Sequence, residues 1–210
     1  MTGYLFVPRR NGFPMSRPPN PEVRFRLLSA GYDVVLDQGF HGCGVQNITA
    51  AASVPKGSFY NYFESKEAFA TEILDAYWQN IEDRYTPFLR DAETAPLERI
   101  AYFFRAISDD HAVTDFRHGC LIGNLALELS SASEKTRVRL KSILGRWEEY
   151  LATCLREAQK RGDLAKKRDV KQLASIIIEA YEGAVMRCKV ERTRRACDQF
   201  EKVALPLLLA

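Results

Sequence analysis

From Val23 onward the apolar residues recur three and four positions apart, the spacing of one buried helix face. Val23, Leu27, Leu28, Ala30, Val34, Val35 and Phe40 form the first stripe. Asn20-Pro21-Glu22 opens it as a side-chain cap with Pro at the first helical position, and Gly39 stops it. His41-Gly42-Cys43-Gly44 reads as a turn. Val45, Ile48, Ala51 and Ala52 give a short second helix, broken at Val54 because Pro55 disfavours helix at the residue before it. Gly57 to Phe63 predicts a third helix, with Phe59 and Phe63 sharing one face and Ser58, Tyr60, Asn61 and Tyr62 left for another surface. Ser65 then caps a fourth, from Lys66 to near Arg84.

The pattern stays helical to the end. Pro96 to Ile107 carries Leu97, Ile100, Phe103, Phe104 and Ile107, and the loop DDHAVTDFRH leads into GCLIGNLALEL, a compact apolar helix. Ser131 or Ser133 opens a long helix that Gly162 ends, and Asp169 caps another from Val170 to about Arg192. A last helix spans Arg195 to Leu209. No alternating strand pattern and no internal repeat interrupts this, so the expected fold is all-α. Residues 1–19 lack periodicity and hold four prolines, which predicts a disordered arm carrying Arg9 and Arg10; Met15 is an alternative start.

Charge changes the picture once it is divided. The net charge is +3, and residues 1–66 hold seven basic against four acidic residues, leaving the remainder balanced. The surplus therefore lies within residues 1–66, as attraction to phosphate in that part of the chain would require. No apolar run reaches the roughly 18 residues that span a bilayer, and the start lacks a secretory pattern, so a cytoplasmic protein is expected. The cysteines, Cys43, Cys120, Cys154, Cys188 and Cys197, are odd in number, without a CxxC, which argues against a disulfide framework or a zinc site.

Val45 to Lys66 has the layout of a DNA-reading helix-turn-helix, a scaffold helix, a tight turn and a second helix whose start enters the major groove. Gly57 and Ser58 open that second helix with N–H groups suited to phosphate or a base edge. Tyr60, Tyr62 and Lys66 are spaced to reach phosphates.

The stretch GFHGCGVQNITAAASVPKGSFYNYFESKEAF closely resembles the N-terminal signature of the TetR family of repressors, densest over 23–80. The resemblance implies that Gln46 and Lys56 face base edges. It also implies that Gly57, Ser58, Tyr60, Tyr62 and Lys66 occupy recognition-helix and phosphate positions. Gly44 departs from the family, which usually caps the second helix with Thr there. Implied too are a homodimer on a palindromic operator, joined through Ile176, Ile177, Ala180, Ala184, Phe200, Val203 and Leu207, and a small-molecule effector.

RHGCLIGNLALEL and the later EGAVMRCKVE resemble the subgroup that responds to reactive electrophiles or acrylate-type compounds, in which a cysteine opening a helix lies near a lysine. The matching residues are Cys120 and Lys189. A thiol at a helix N-terminus beside Arg117, His118 and Lys189 is expected to have a lowered pKa and to add to α,β-unsaturated carbonyls. Cys188 is a second candidate. Trp78, Tyr102, Phe116, Trp147 and Tyr181 are candidate pocket walls, although aromatics at helical spacing more often belong to a core.

The resulting organisation is an arm at 1–19, a DNA-binding domain at 20–66 and an effector-sensing and dimerisation domain at 67–210. No catalytic residue, metal or cofactor is expected. A rival from another class, an enzyme pairing Cys120 with His118 or His111 for acyl transfer, would lack an orienting group and leave the helix-turn-helix unexplained.

Overall fold

The computed structural model describes residues 20–210; the arm expected at 1–19 lies outside them. Asn20 Oδ1 accepts from the Glu22 N–H at 3.0 Å and starts α1 (Pro21–Gln38), which ends where Gly39 takes φ +75°. α2 (Val45–Ala51) begins at Gly44. The missing Thr cap is replaced from the other side, because the Asn47 carboxamide oxygen accepts from the Gly44 N–H at 2.8 Å.

The third helix forms as a 3-10 helix, Lys56–Asn61, rather than the α-helix expected from Gly57 to Phe63. Its hydrogen bonds span three residues, Ser58 N–H to Pro55 O at 2.9 Å and Tyr62 N–H to Phe59 O at 3.0 Å. A run this short can close in the tighter form. Phe59, Phe63 and Phe69 hold it down as a trio with ring centroids 4.8 to 5.3 Å apart.

Ser65 caps α3 (Lys66–Arg90) by accepting from the Ala68 N–H at 3.0 Å. α3 outruns the expected end near Arg84 and passes through Pro87. Proline removes one donor there, but Leu89 is buried and its carbonyl accepts from the Cys154 thiol at 3.1 Å, which fixes the last turn. α4 (Pro96–Ala112) likewise extends past Ile107 and shortens the loop that follows.

α5 (Leu121–Leu129) is the compact apolar helix. α6 (Glu134–Arg161) starts at Ser133 and stops at Gly162 with φ +89°. α7 (Val170–Glu191) is capped by Asp169, whose carboxylate accepts from Lys171 and Gln172 N–H groups. The last helix widens midway: α8 (Arg195–Gln199), a π turn (Phe200–Ala204) and α9 (Leu205–Leu209) follow one another without a break. No strand occurs among the described residues.

The core of the larger part is aromatic. Phe104 packs 4.6 Å from Tyr181 and 5.1 Å from Phe200, and Trp78 meets Trp147 at 6.2 Å, centroid to centroid. Among the described residues no helix is long and apolar enough to cross a membrane, and no cluster of side chains suits a metal ion.

Candidate functional site

The 3-10 helix presents its polar side outward. Gln46, Lys56, Gly57, Tyr60 and Asn61 are exposed, Tyr60 by 62%, while Ser58 and Tyr62 are half-buried. Phe59 is fully buried beneath them and stacks edge-on to Tyr60 at 5.3 Å. The Tyr62 hydroxyl accepts from the Asn20 N–H at 3.2 Å, tying the module to the start of α1. An unobstructed Gly57, an exposed cation at Lys56 and an exposed phenol at Tyr60 are suited to a phosphate backbone at close range.

Lys66 is placed differently from its neighbours. Its Nζ donates to the carbonyls of Phe40 and Cys43 and lies 4.2 Å from the centre of the Phe40 ring. The expectation of a phosphate contact is corrected to an internal clamp on the turn between α1 and α2.

That turn is also held from outside the module. Glu128, on the last turn of α5, accepts from the Phe40 N–H at 3.1 Å and the His41 N–H at 2.7 Å, and its carbonyl lies 3.2 Å from His41 Nε2. At the other end of α5, Arg117 pairs with Asp37 of α1 at 2.8 Å, and His118 Nε2 approaches the same carboxylate at 3.3 Å. The connection from α4 to α5 that carries these two anchors is wound tightly, with Asp115, Phe116 and Gly119 all at positive φ. Two consecutive non-glycine residues in the left-handed region mark local backbone strain.

Cys120 is the N-cap residue of α5 and is 6% exposed. The Tyr77 hydroxyl donates toward its Sγ at 3.8 Å. Burial, followed by the charge of Glu182, pushes the thiol well above its ordinary pKa, and the Gly123 N–H offsets only part of this. The expected lowering is therefore reversed: the neighbouring cations point elsewhere, Arg117 and His118 to Asp37, and Lys189 to Asn124 Oδ1 at 3.2 Å. Lys189 nonetheless adjoins the thiol segment, since a Cβ on Gly119 would meet its Cδ at 3.0 Å. Burial lowers the Lys189 pKa.

Cys120 and Lys189 both wall a cavity of about 400 Å³ with Leu127, Leu144, Ile178 and Met186. The five candidate aromatics do not. Trp78, Trp147 and Tyr181 are core residues whose helical spacing reported burial rather than a ligand. Phe116 is buried in the strained segment, and Tyr102 is exposed on α4. Lining residues that the sequence pattern did not single out are Gly123 and the polar Asn124, Glu179 and Glu182. Their only linear signal is spacing, with Gly119 and Gly123 four apart and Glu182 and Lys189 seven apart. Cys188 points away from this cavity toward Cys197, with the two sulfurs 3.3 Å apart.

The acyl-transfer alternative fails on the same geometry. His118 is turned to Asp37, and His111 is half-buried with its Nε2 enclosed, beside Tyr32 and Tyr85 in another cavity, with its pKa lowered to about 4 chiefly by desolvation.

Comparison with known proteins agrees with this layout. Residues 27–73 match the model for bacterial regulatory proteins of the tetR family, and residues 96–204 match the tetracyclin repressor-like C-terminal domain. The chain is 40% identical over 93% of its length to the transcriptional repressor DhaR of a Mycobacterium species, covering 95% of that protein. It is 35% identical over 87% of its length to the transcriptional regulator AcuR of Cereibacter sphaeroides, covering 83% of that protein. The reduced form of Escherichia coli NemR superimposes with a TM-score of 0.76 at 27% identity, over 90% of this chain and 97% of that one. The relatives are transcription regulators along nearly their whole length, and the chain belongs to the TetR family of repressors, in the group that includes AcuR and NemR.

Proposed function

We propose that this repressor acts in the cytoplasm as a homodimer on a palindromic operator and is released when a small electrophile adds to Cys120. Residues 20–66 serve as the DNA-binding unit and 67–210 as the sensing and dimerising unit. Gln46 and Lys56 address base edges, and Gly57, Ser58, Tyr60, Asn61 and Tyr62 supply the rest of the contact surface. The observation that carries the reading is the double attachment of α5. Its first residue follows the thiol, and its last turn holds the turn of the DNA module through Glu128. A nine-residue helix moves as a rod, so a group added at Cys120 shifts Glu128 about 12 Å away.

Homodimerisation is supported by the apolar surface on the last two helices. Ile176, Val203 and Leu207 are exposed, Val203 by 54% and Leu207 by 71%, and Val203 borders a groove shared with Ala180, Ala184 and Phe200. Ile177 and Phe200 are themselves buried within the chain, leaving the others for a partner. Such a patch on a water-facing helix pair marks an association site, and a two-fold dimer calls for half-sites about one DNA turn apart or slightly more.

The test is fluorescence anisotropy with DNA from upstream of the gene, before and after treatment with acrolein. Salt-sensitive binding that is lost on treatment is expected; absence of salt-sensitive binding would overturn the reading. A second reading, a non-covalent apolar ligand filling the same cavity, is favoured by the raised pKa of Cys120. Equal release of wild type and Cys120→Ser by acrolein would select it.

A further inference from the structure

Glu182 is the least explained group in the molecule. It lies in the middle of α7 on the wall of the Cys120 cavity, and its Oε1 is fully buried with no hydrogen-bond partner among the described residues. An orphaned carboxylate oxygen in an apolar wall is costly. The fold makes space for it: a Cβ on Gly123 would fall 2.6 Å from Glu182 Oε2, so glycine at this position of α5 is what admits the carboxylate. The titratable groups around it are Tyr77 from α3, Cys120 from α5, and Glu179, Tyr181 and Lys189 on its own helix. Burial raises its pKa to about 7, with the Cys120 thiol offsetting part of the rise.

These facts answer a difficulty in the sensing chemistry. A buried thiol held in its protonated form is a poor nucleophile, and no cation is aimed at it. We propose that Glu182 is the proton carrier for alkylation of Cys120 by α,β-unsaturated carbonyl compounds, an inference that rests on the reading of Cys120 as the sensing residue. The Glu182 carboxylate takes the S–H proton as sulfur bonds to the β-carbon, and the C=C π pair moves to leave an enolate. The enolate oxygen is assigned to Lys189, the cation that lines the same cavity. Glu182, now a carboxylic acid, returns the proton to the α-carbon. One S–C bond is formed, one π bond is lost, a proton has moved from sulfur to carbon, and nothing is oxidised or reduced. The base is poised near neutrality, where proton transfer in both directions is accessible.

The experiment is mass-spectrometric timing of the acrolein adduct at Cys120 in the full chain from pH 5.5 to 9, for wild type, Glu182→Gln and Gly123→Ala. Wild type should follow a step near pH 7. Glu182→Gln should be at least about tenfold slower at pH 7.5 and lose that step. Gly123→Ala suits a helix and meets only the flexible end of Glu182, so it should fold normally while slowing the adduct by displacing the carboxylate. Circular dichroism and operator binding of the unmodified proteins verify that both variants fold. A merely electrostatic Glu182 gives the opposite sign, because removing its charge lowers the thiol pKa and speeds alkylation. Unchanged or faster alkylation of Glu182→Gln overturns the proposal. A wild type that forms no adduct at Cys120 overturns the sensing reading and this inference with it.

Discussion

Glu128 accepts hydrogen bonds from the backbone N–H groups of both Phe40 and His41, at 3.1 and 2.7 Å, so a side chain of α5 holds the turn between α1 and α2. The carboxylate also lies 3.1 Å from where a Cβ on Gly39 would be. Glu128→Ala should therefore separate chemistry from response. Alkylation of Cys120 should proceed at the wild-type rate by mass spectrometry, while operator affinity should change less than about twofold on modification, against tenfold or more for wild type, a coupling of about 1.4 kcal/mol or more. Retention of the full wild-type change would remove Glu128 from the route.

Lys56 and Lys66 make opposite predictions although the sequence offers both to DNA. Lys56 is exposed, and Lys56→Ala should weaken operator binding and reduce the salt slope by about one, with the melting temperature unmoved. Lys66 is bound to the carbonyls of Phe40 and Cys43. Lys66→Met should leave two charge-assisted acceptors unpaired and cost about 1–3 kcal/mol in urea denaturation, with the salt slope unchanged. A change in slope without a loss of stability would return Lys66 to the DNA contacts.

Two buried groups give opposing pH dependences. Glu182, raised from 4.5 to about 7, binds its proton more tightly when folded; its contribution is complete below pH 4.5 and is lost as pH rises to 7. His111, lowered from 6.5 to about 4, is neutral when folded; its contribution is complete above pH 6.5 and is lost as pH falls to 4. The terms are each at most about 3 kcal/mol and cancel through the overlap of the two windows. Denaturant titration should find wild type nearly flat there. Glu182→Gln should gain stability as pH rises from 4 to 6.5, and His111→Gln should lose it as pH rises from 4.5 to 7. Parallel profiles for the three proteins would contradict this assignment.

The helix starts were legible because their caps are local, whereas the ends of α3 at Arg90 and α4 at Ala112 carry no such signal. Asn20, Ser65, Ser133 and Asp169 cap within three residues of themselves, and Gly162 ends α6 by its own φ. The position of Cys120 at the head of α5 was legible for the same reason. Its surroundings were not, because Glu182 arrives from 62 residues downstream and Tyr77 from 43 upstream, and together with burial they set its protonation. Lys66 misled likewise, since its acceptors lie 26 and 23 residues away. Trp78, Trp147 and Tyr181 show the limit of periodicity: it says that a residue is inside, not what it faces.

Control of the helix-turn-helix from Cys120 is the central relationship in this regulator's proposed response. Its most direct measurement is operator affinity by anisotropy for wild type and Cys120→Ser, with and without acrolein at constant salt. Equal affinity is expected for the two untreated proteins, with a loss of tenfold or more in treated wild type and less than about twofold in treated Cys120→Ser. Release of both proteins to the same extent, or of neither, would contradict that control.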